Sequence, residues 1–235
     1  MPRLGLLSSR SLTGVGLKNP PLVYVDYSYA NAIFTSGGTY VSDQSMPSGG
    51  YLQLRNPNSG TGVIFDLAST IAPSEAFTLE YWIRSTYTPS NVAVSVGDAS
   101  AGNSIGLNFF NWNTVTSGSI IGTFYYNNSR GQGTGISVTT DKALTHVAFE
   151  VNASGQVRLY YNGSYRGQAV NGLNAVTYTR LQLGQLLYTQ AGQQGTFTDI
   201  GPIHLYRGLG FNTTGSYTIP NSVYTANANT LFLGQ

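Results

Sequence analysis

The chain has 235 residues, 41% of them hydrophobic and only 9% charged, with 29 Gly, 17 Tyr and no Cys. Charge this sparse, against about 25% in ordinary soluble domains, excludes a helical protein, whose exposed faces carry Lys, Glu and Arg. The absence of Cys excludes disulfide frameworks, thiol nucleophiles and cysteine-rich zinc sites, and no apolar run approaches the ~18 residues of a membrane-spanning helix.

The charge is segregated. Residues 1–20 hold Arg3, Arg10 and Lys18 with no acid, whereas the other eight Lys and Arg face nine Asp and Glu. The first segment (Met1–Arg10) is too short in apolar residues for a signal peptide core, so export by that route is not expected. The leader shows neither a strand nor a helix period, and alone it lacks the means to order. Residues 1–21 are therefore expected to be an extended arm, with Arg3, Leu4, Leu6, Leu7, Arg10, Leu12 and Lys18 as its contact residues for a partner protein. The body has no basic stripe of the kind that tracks a phosphate backbone, so nucleic acid is not an expected partner, nor is a membrane.

From residue 22 onward, short apolar and β-branched runs alternate with turn residues. Strands are expected at 22–25, 39–41, 51–54 and 62–65, then a short helical turn over 66–71. Phe77–Arg84 alternates, with Phe77, Leu79, Tyr81 and Ile83 on one face and Thr78, Glu80, Trp82 and Arg84 on the other. Further strands are expected at 92–96, 104–110, 119–126 and 136–140. Residues 144–170 carry the strongest local signal. There, strands 144–151 and 156–161 flank a turn, and Asn162-Gly163, which accepts positive φ at both central positions of a type I′ turn, leads into strand 164–170. Strands at 178–183, 196–206 and 230–233 complete the set. About a dozen strands and one helical turn pack naturally as two stacked antiparallel sheets.

Phe77-Thr78-Leu79-Glu80-Tyr81-Trp82-Ile83-Arg84, Thr145-His146-Val147-Ala148-Phe149 and Ser154–Gly163 resemble successive strands of the laminin-G/concanavalin-A-like jelly rolls. Thr145 stands where that family has Trp or His. Leu181–Gly184 and Phe197–Tyr206 resemble later strands of the same fold. The ending, Tyr206-Arg207-Gly208, Tyr217-Thr218-Ile219-Pro220 and Thr230-Leu231-Phe232-Leu233, is similar to that of the laminin-G-like domains of bacteriophage virion proteins. The resemblance covers residues 22–235 and implies an all-β concanavalin-A-like jelly-roll sandwich with an N-terminal arm.

Candidate chemistry is thin. Glycosidases of this fold cluster their carboxylates on one strand as E-x-D-x-x-E, and this chain has no such run. Glu80 reads as an outward strand residue paired with Arg84. Glu150 and His146 share a strand face but stand four residues, about 13 Å, apart. With only two His, His146 and His204, and no Cys, a transition-metal site is not expected. His146 reads as a packing or surface residue. Calcium held by loop Asp98 and Asp141 and by Asp199 is the one cofactor the fold brings into question; the expectation is none. Ser129–Gly135 resembles a phosphate-cradling loop in composition but lies between strands, not ahead of a helix, and reads as a hairpin tip. Exposed aromatics, Trp112, Tyr125, Tyr126 and Tyr165, are candidates for contacts to protein or to sugar.

The resemblance and the arm together imply a non-enzymatic phage virion protein, a capsid decoration or cement protein. Its expected partners are the major capsid protein or other virion proteins, and sister copies in a homo-oligomer. The alternative is a carbohydrate-binding module of a tail fibre or host-recognition appendage that grips host surface glycan.

Overall fold

The computed structural model describes residues 23–25, 38–56, 63–85, 94–97, 108–110, 121–126, 129–131, 144–170, 177–183, 196–211 and 214–235. The leader, the strand expected at 136–140, Trp112, Asp98 and Asp141 lie outside them. Among the described residues the regular elements are fifteen strands.

Alternation at 77–84 becomes the middle of the molecule. Strand β5 (Phe77–Ser85) lies between β10 (Thr145–Val151) and the long β14 (Thr196–Arg207), antiparallel to both. The 144–170 region forms the expected three-strand run. β10 pairs β11 (Gln156–Tyr161), β11 pairs β12 (Ser164–Val170), and Asn162 and Gly163 turn between them with φ of 44° and 77°. On its other edge β14 pairs β3 (Gly50–Asn56) through its first half and β15 (Thr230–Gly234) through its second. β2 (Gly38–Ser42) extends β3, and β1 (Val23–Val25) runs parallel to β15, giving a nine-stranded sheet.

The change of partner along β14 is made at a bulge, where its register against β5 shifts between Ile200 and Ile203. Gly201 and Pro202 occupy the bulge. Pro has no ladder hydrogen to give there. A Cβ on Gly201 would stand 2.8 Å from Trp82 Cβ and 2.9 Å from Met46 Sδ, so the close approach requires glycine.

The second layer is β4 (Val63–Ile71), β13 (Tyr178–Leu183) and β6 (Val94–Gly97), antiparallel with β13 in the middle. β7 (Asn108–Phe110), β8 (Ile121–Tyr126) and β9 (Ser129–Gly131) form a separate three-stranded ribbon. Ser129–Gly131 is thus a strand, not a tip. Between the layers lie Phe77, Leu79, Tyr81 and Ile83 of β5, Val147, Phe149 and Val151 of β10, Val157, Leu159 and Tyr161 of β11, and Leu67, Ile71, Tyr178, Leu181 and Leu183 opposite. Rings meet across the gap: Phe65 with Phe232 at 5.2 Å and Phe77 with Tyr178 edge-on at 4.7 Å. Each such fully buried side chain contributes about 1.5–3 kcal/mol. The all-β sandwich expected from the sequence is the observed fold.

The helical turn expected at 66–71 is not formed; those residues complete β4. Leu67 and Ile71 are buried and Phe65 packs against the core, while Asp66 and Thr70 are exposed. The period of two is therefore intact. Ser69 fills an inward slot, where its hydroxyl accepts a hydrogen bond from Arg207 at 2.7 Å, and this disguised the alternation.

Candidate functional site

Burying the apolar side of β5, β10, β11 and β14 in the core turns their alternate residues to the opposite, outer face of the large sheet. That face collects Thr78, Glu80, Trp82 and Arg84, then His146 and Glu150, Arg158 and Tyr160, and His204 and Tyr206. In a sheet with one wet side such residues would be solvated. Here they are covered by the chain itself. Residues 208–211 and 214–229, between β14 and β15, cross one part of the face, and the β2–β3 connection brings Met46 and Asp43 over another.

Glu80 stands at the centre and is 6% exposed. The sequence reading of an outward residue paired with Arg84 is corrected: its Oε1 lies 3.2 Å from His204 Nδ1 and its Oε2 lies 3.4 Å from His146 Nε2. Register explains the meeting, since His204 is directly opposite Glu80 and His146, opposite Trp82, is its diagonal neighbour. Burial raises the Glu80 pKa, but hydrogen bonds from the two His more than offset that and hold the carboxyl below its ordinary range. Arg84 instead reaches Asp199 at 3.0 Å and Asp43 at 3.3 Å. Asp199, a candidate calcium ligand in the sequence, is thereby committed to a guanidinium.

Each His makes further contacts. His146, with no exposed surface, meets Tyr217 OH through Nδ1 and Tyr224 OH, 2.9 Å away, through Nε2. Its ring also stands edge-on to Trp82 at 5.2 Å. His204 Nε2 lies 3.0 Å from Thr230 Oγ1, and its ring stacks on Tyr224 at 5.3 Å. His146 is accordingly a packing residue, one of the two readings its sequence allowed.

Glu150 is not joined directly to His146. Tyr160 OH donates to its Oε2 at 2.7 Å, the Phe211 amide donates to its Oε1, and the Arg158 guanidinium stands 3.7 Å away. Burial raises the pKa of Tyr206 and of Tyr217 well above the ordinary phenol value, with the nearby Glu80 charge adding to it. Both phenols stay protonated and serve as hydrogen-bond groups.

Two arrangements on this face have the outline of catalytic machinery. Glu80, His204 and Thr230 follow the acid–imidazole–hydroxyl order of a nucleophile relay. Glu80 and Glu150, diagonal on neighbouring strands, stand about 7–8 Å apart at Cα, near the spacing of a glycosidase pair. Both lie under the chain's own cover. Thr230 has no exposed surface and its oxygen accepts from the Asn227 amide, while both carboxylates are satisfied within the chain. Among the described residues no group of three His, Asp or Glu converges to hold a metal ion.

The aromatic candidates fare differently. Tyr165 is half-buried with its ring edge against Tyr160 at 5.8 Å. Tyr125 and Tyr126 fall in β8, and nothing further is described of their side chains. Sequence reasoning missed the convergence of Glu80, His146 and His204, which are separated by up to 124 residues. The only signal for it was the shared parity of each residue within its strand.

Residues 29–200 match the Laminin_G_3 family, described as the concanavalin A-like lectin/glucanases superfamily. No curated protein sequence matches the chain. Among solved structures, the chain is similar to the binding domain of Paraclostridial Mosquitocidal Protein 1, at 15% identity and TM-score 0.52, covering 73% of this chain and 42% of that one. It is similar also to domain 4 of AbnA, a GH43 extracellular arabinanase from Geobacillus stearothermophilus in complex with arabinotriose (17%, 0.51, 74% and 76%). The globular domain of T. cruzi calreticulin is a third likeness (8%, 0.50, 73% and 80%). The chain spans less than half the length of the first of these, and identities so low speak to fold alone. With a match running through most of its length and a sandwich of this topology, the chain belongs to the Laminin_G_3 family of concanavalin A-like domains.

Proposed function

We propose that the chain is a non-catalytic structural protein of a bacteriophage virion, a capsid decoration or cement protein. It would dock on the major capsid protein, or on another virion protein, through residues 1–20, with sister copies beside it. The observation that carries this reading is the division of polar chemistry in the chain. The acids and imidazoles on the outer face of the sandwich are consumed by internal partners, while Arg3, Arg10 and Lys18 lie on a leader with no acid of its own. Docking then works by mass action. A leader that orders on contact adds area, and many copies on one particle add avidity. The resemblance of residues 206–233 to the ends of phage virion domains supports the same reading, which needs no cofactor.

A second reading is favoured by one specific likeness. Domain 4 of the Geobacillus arabinanase shares the fold and is described with arabinotriose, so a carbohydrate-binding module of a tail fibre or appendage is the alternative, with Trp112, Tyr125, Tyr126 and Tyr165 as its contact residues. Identifying the chains that co-purify with the native protein tests the first reading. Capsid or other virion proteins in fixed stoichiometry are expected, and their absence counts against it. A glycan array separates the two, because a decoration protein should show no saccharide preference and a lectin should show a defined one.

A further inference from the structure

The direction from which the chain comes into β1 is fixed by pairing. β1 runs parallel to β15, with Val23 beside Phe232 and Val25 beside Gly234. β15 runs antiparallel to β14, with Thr230 beside Tyr206. The chain ahead of Val23 therefore arrives from the end of the sandwich at which β14 finishes and β15 starts. Pro20 and Pro21 stand just upstream, and proline has no N–H with which to continue a ladder. Covalent geometry bounds the rest. Lys18 is five residues from Val23, and a chain spans at most about 3.3–3.6 Å per residue, so Lys18 lies within roughly 18 Å of Val23 whatever its path. The opposite end, along the 12-residue β14, is about 40 Å away at strand rise. Lys18 cannot reach it.

The near end presents three turns, each stiffened by its own side chains. Before β5, the Ala72 amide donates to Glu75 Oε2 and the Glu75 amide to Ala72 O, and Glu75 is paired with Arg207. Between β10 and β11, Asn152 Oδ1 accepts from the amides of Ser154 and Gln156. Ahead of β15, Thr230 Oγ1 accepts from the Asn227 amide, and Asn227 Oδ1 from the Asn229 amide. Register sets the three side by side, since Phe77 is opposite both Val151 and Arg207. The Arg207 amide then donates to Asn229 O and the Gly208 amide to Ala76 O. The exposed tips are 72–74 (Ala-Pro-Ser), 153–154 (Ala-Ser) and 227–229 (Asn-Ala-Asn). None carries a charge. A protein laid over them has no ionised group to desolvate and no long side chain to immobilise, and turns already held in place lose little freedom on binding.

We propose that this end of the sandwich is the face that seats on the partner protein, and that the leader's cations reach carboxylates of that protein beside the seat. The inference rests on the docking reading and adds an orientation to it. The β-domain stands on its 72–74, 153–154 and 227–229 turns. The Asn162-Gly163 hairpin points away, because β10 has Val151 beside Val157 at the seated end and Val147 beside Tyr161 at the other. Leader and seat reinforce one another: with Lys18 tethered within roughly 18 Å of Val23, binding of either raises the effective concentration of the other at its site.

Titrating full-length variants against particles stripped of the protein, by cosedimentation, tests the orientation. Ala153→Glu and Ala228→Glu each put bulk and a negative charge on an exposed tip of the seat, against a surface that offers carboxylates. Thr218→Glu makes the same change near the far end, next to Tyr217, whose amide donates to Gly163 O. The two seat variants should bind roughly tenfold or more weakly, and Thr218→Glu should bind as the wild type does. Wild-type protein that pellets while the seat variants pellet equally well, or while Thr218→Glu is weakened as much as they are, would overturn the orientation and leave docking through the leader standing. Wild-type protein that fails to pellet overturns the docking reading and the orientation with it. If a seat variant melts below the wild type, a photoreactive side chain in place of Ala153 or of Thr218 provides the second arm. The first should cross-link to the capsid protein of the particle and the second should not; the reverse pattern contradicts the proposal.

Discussion

At the scale of single residues, Glu80 shows how a strand carboxylate can be enclosed at the centre of a side-chain network. Its burial would favour the neutral acid, yet His146 and His204 keep it ionised. Glu80→Gln should cost on the order of 1.5–3 kcal/mol near neutral pH, because the contacts of a carboxylate with two imidazoles are exchanged for those of a neutral amide. The wild-type chain should lose stability as the medium is acidified below roughly pH 4.5, and the variant should lose less over the same interval; thermal melts across that range check both. Gly201 is the second residue with a sharp expectation. Met46 Sδ can swing away from an added methyl group, but Trp82 Cβ is fixed to its strand. Gly201→Ala should therefore destabilise the sandwich by about 1–3 kcal/mol, measured by denaturant unfolding. Neither residue announces this in the sequence. Glu80 reads as a solvated strand residue because its partners come from β10 and β14, and Gly201 is one of 29 glycines.

At the scale of elements, local signals were legible where neighbours in sequence are neighbours in space. The Asn162-Gly163 hairpin, the alternation of β5 and the three-strand run from β10 to β12 depend on period two and on turn chemistry, and all are present. β4 was misread at 66–71 because Ser69 takes an inward slot and bonds Arg207, 138 residues away. The cover over the outer face was not legible at all, since nothing in the sequence after Arg207 states which face it will lie on. Gly163 links the two kinds of information. Its positive φ makes the hairpin, and a Cβ there would meet Tyr217 O of the covering residues at 2.9 Å. Gly163→Ala should cost about 1–2 kcal/mol for the left-handed backbone alone. It should also raise amide exchange at Tyr217, a second effect that hairpin strain by itself does not produce.

At the scale of the whole molecule, a family whose name joins lectins and glucanases is represented here by a chain that covers the polar outer face of its large sheet with its own residues. The fold class was readable from composition and strand spacing. The closing of that face was not, because it depends on contacts such as those of His146 with Tyr217 and Tyr224, 71 and 78 residues apart. The segment proposed to dock is the charged leader ahead of a nearly neutral body. The most direct measurement is cosedimentation of the full chain, and of a variant lacking residues 1–20, with virus particles stripped of the protein. The truncated chain should unfold at the same temperature as the full one and remain in the supernatant. Truncated protein that pellets with the particles as well as the full chain does would contradict docking through the leader.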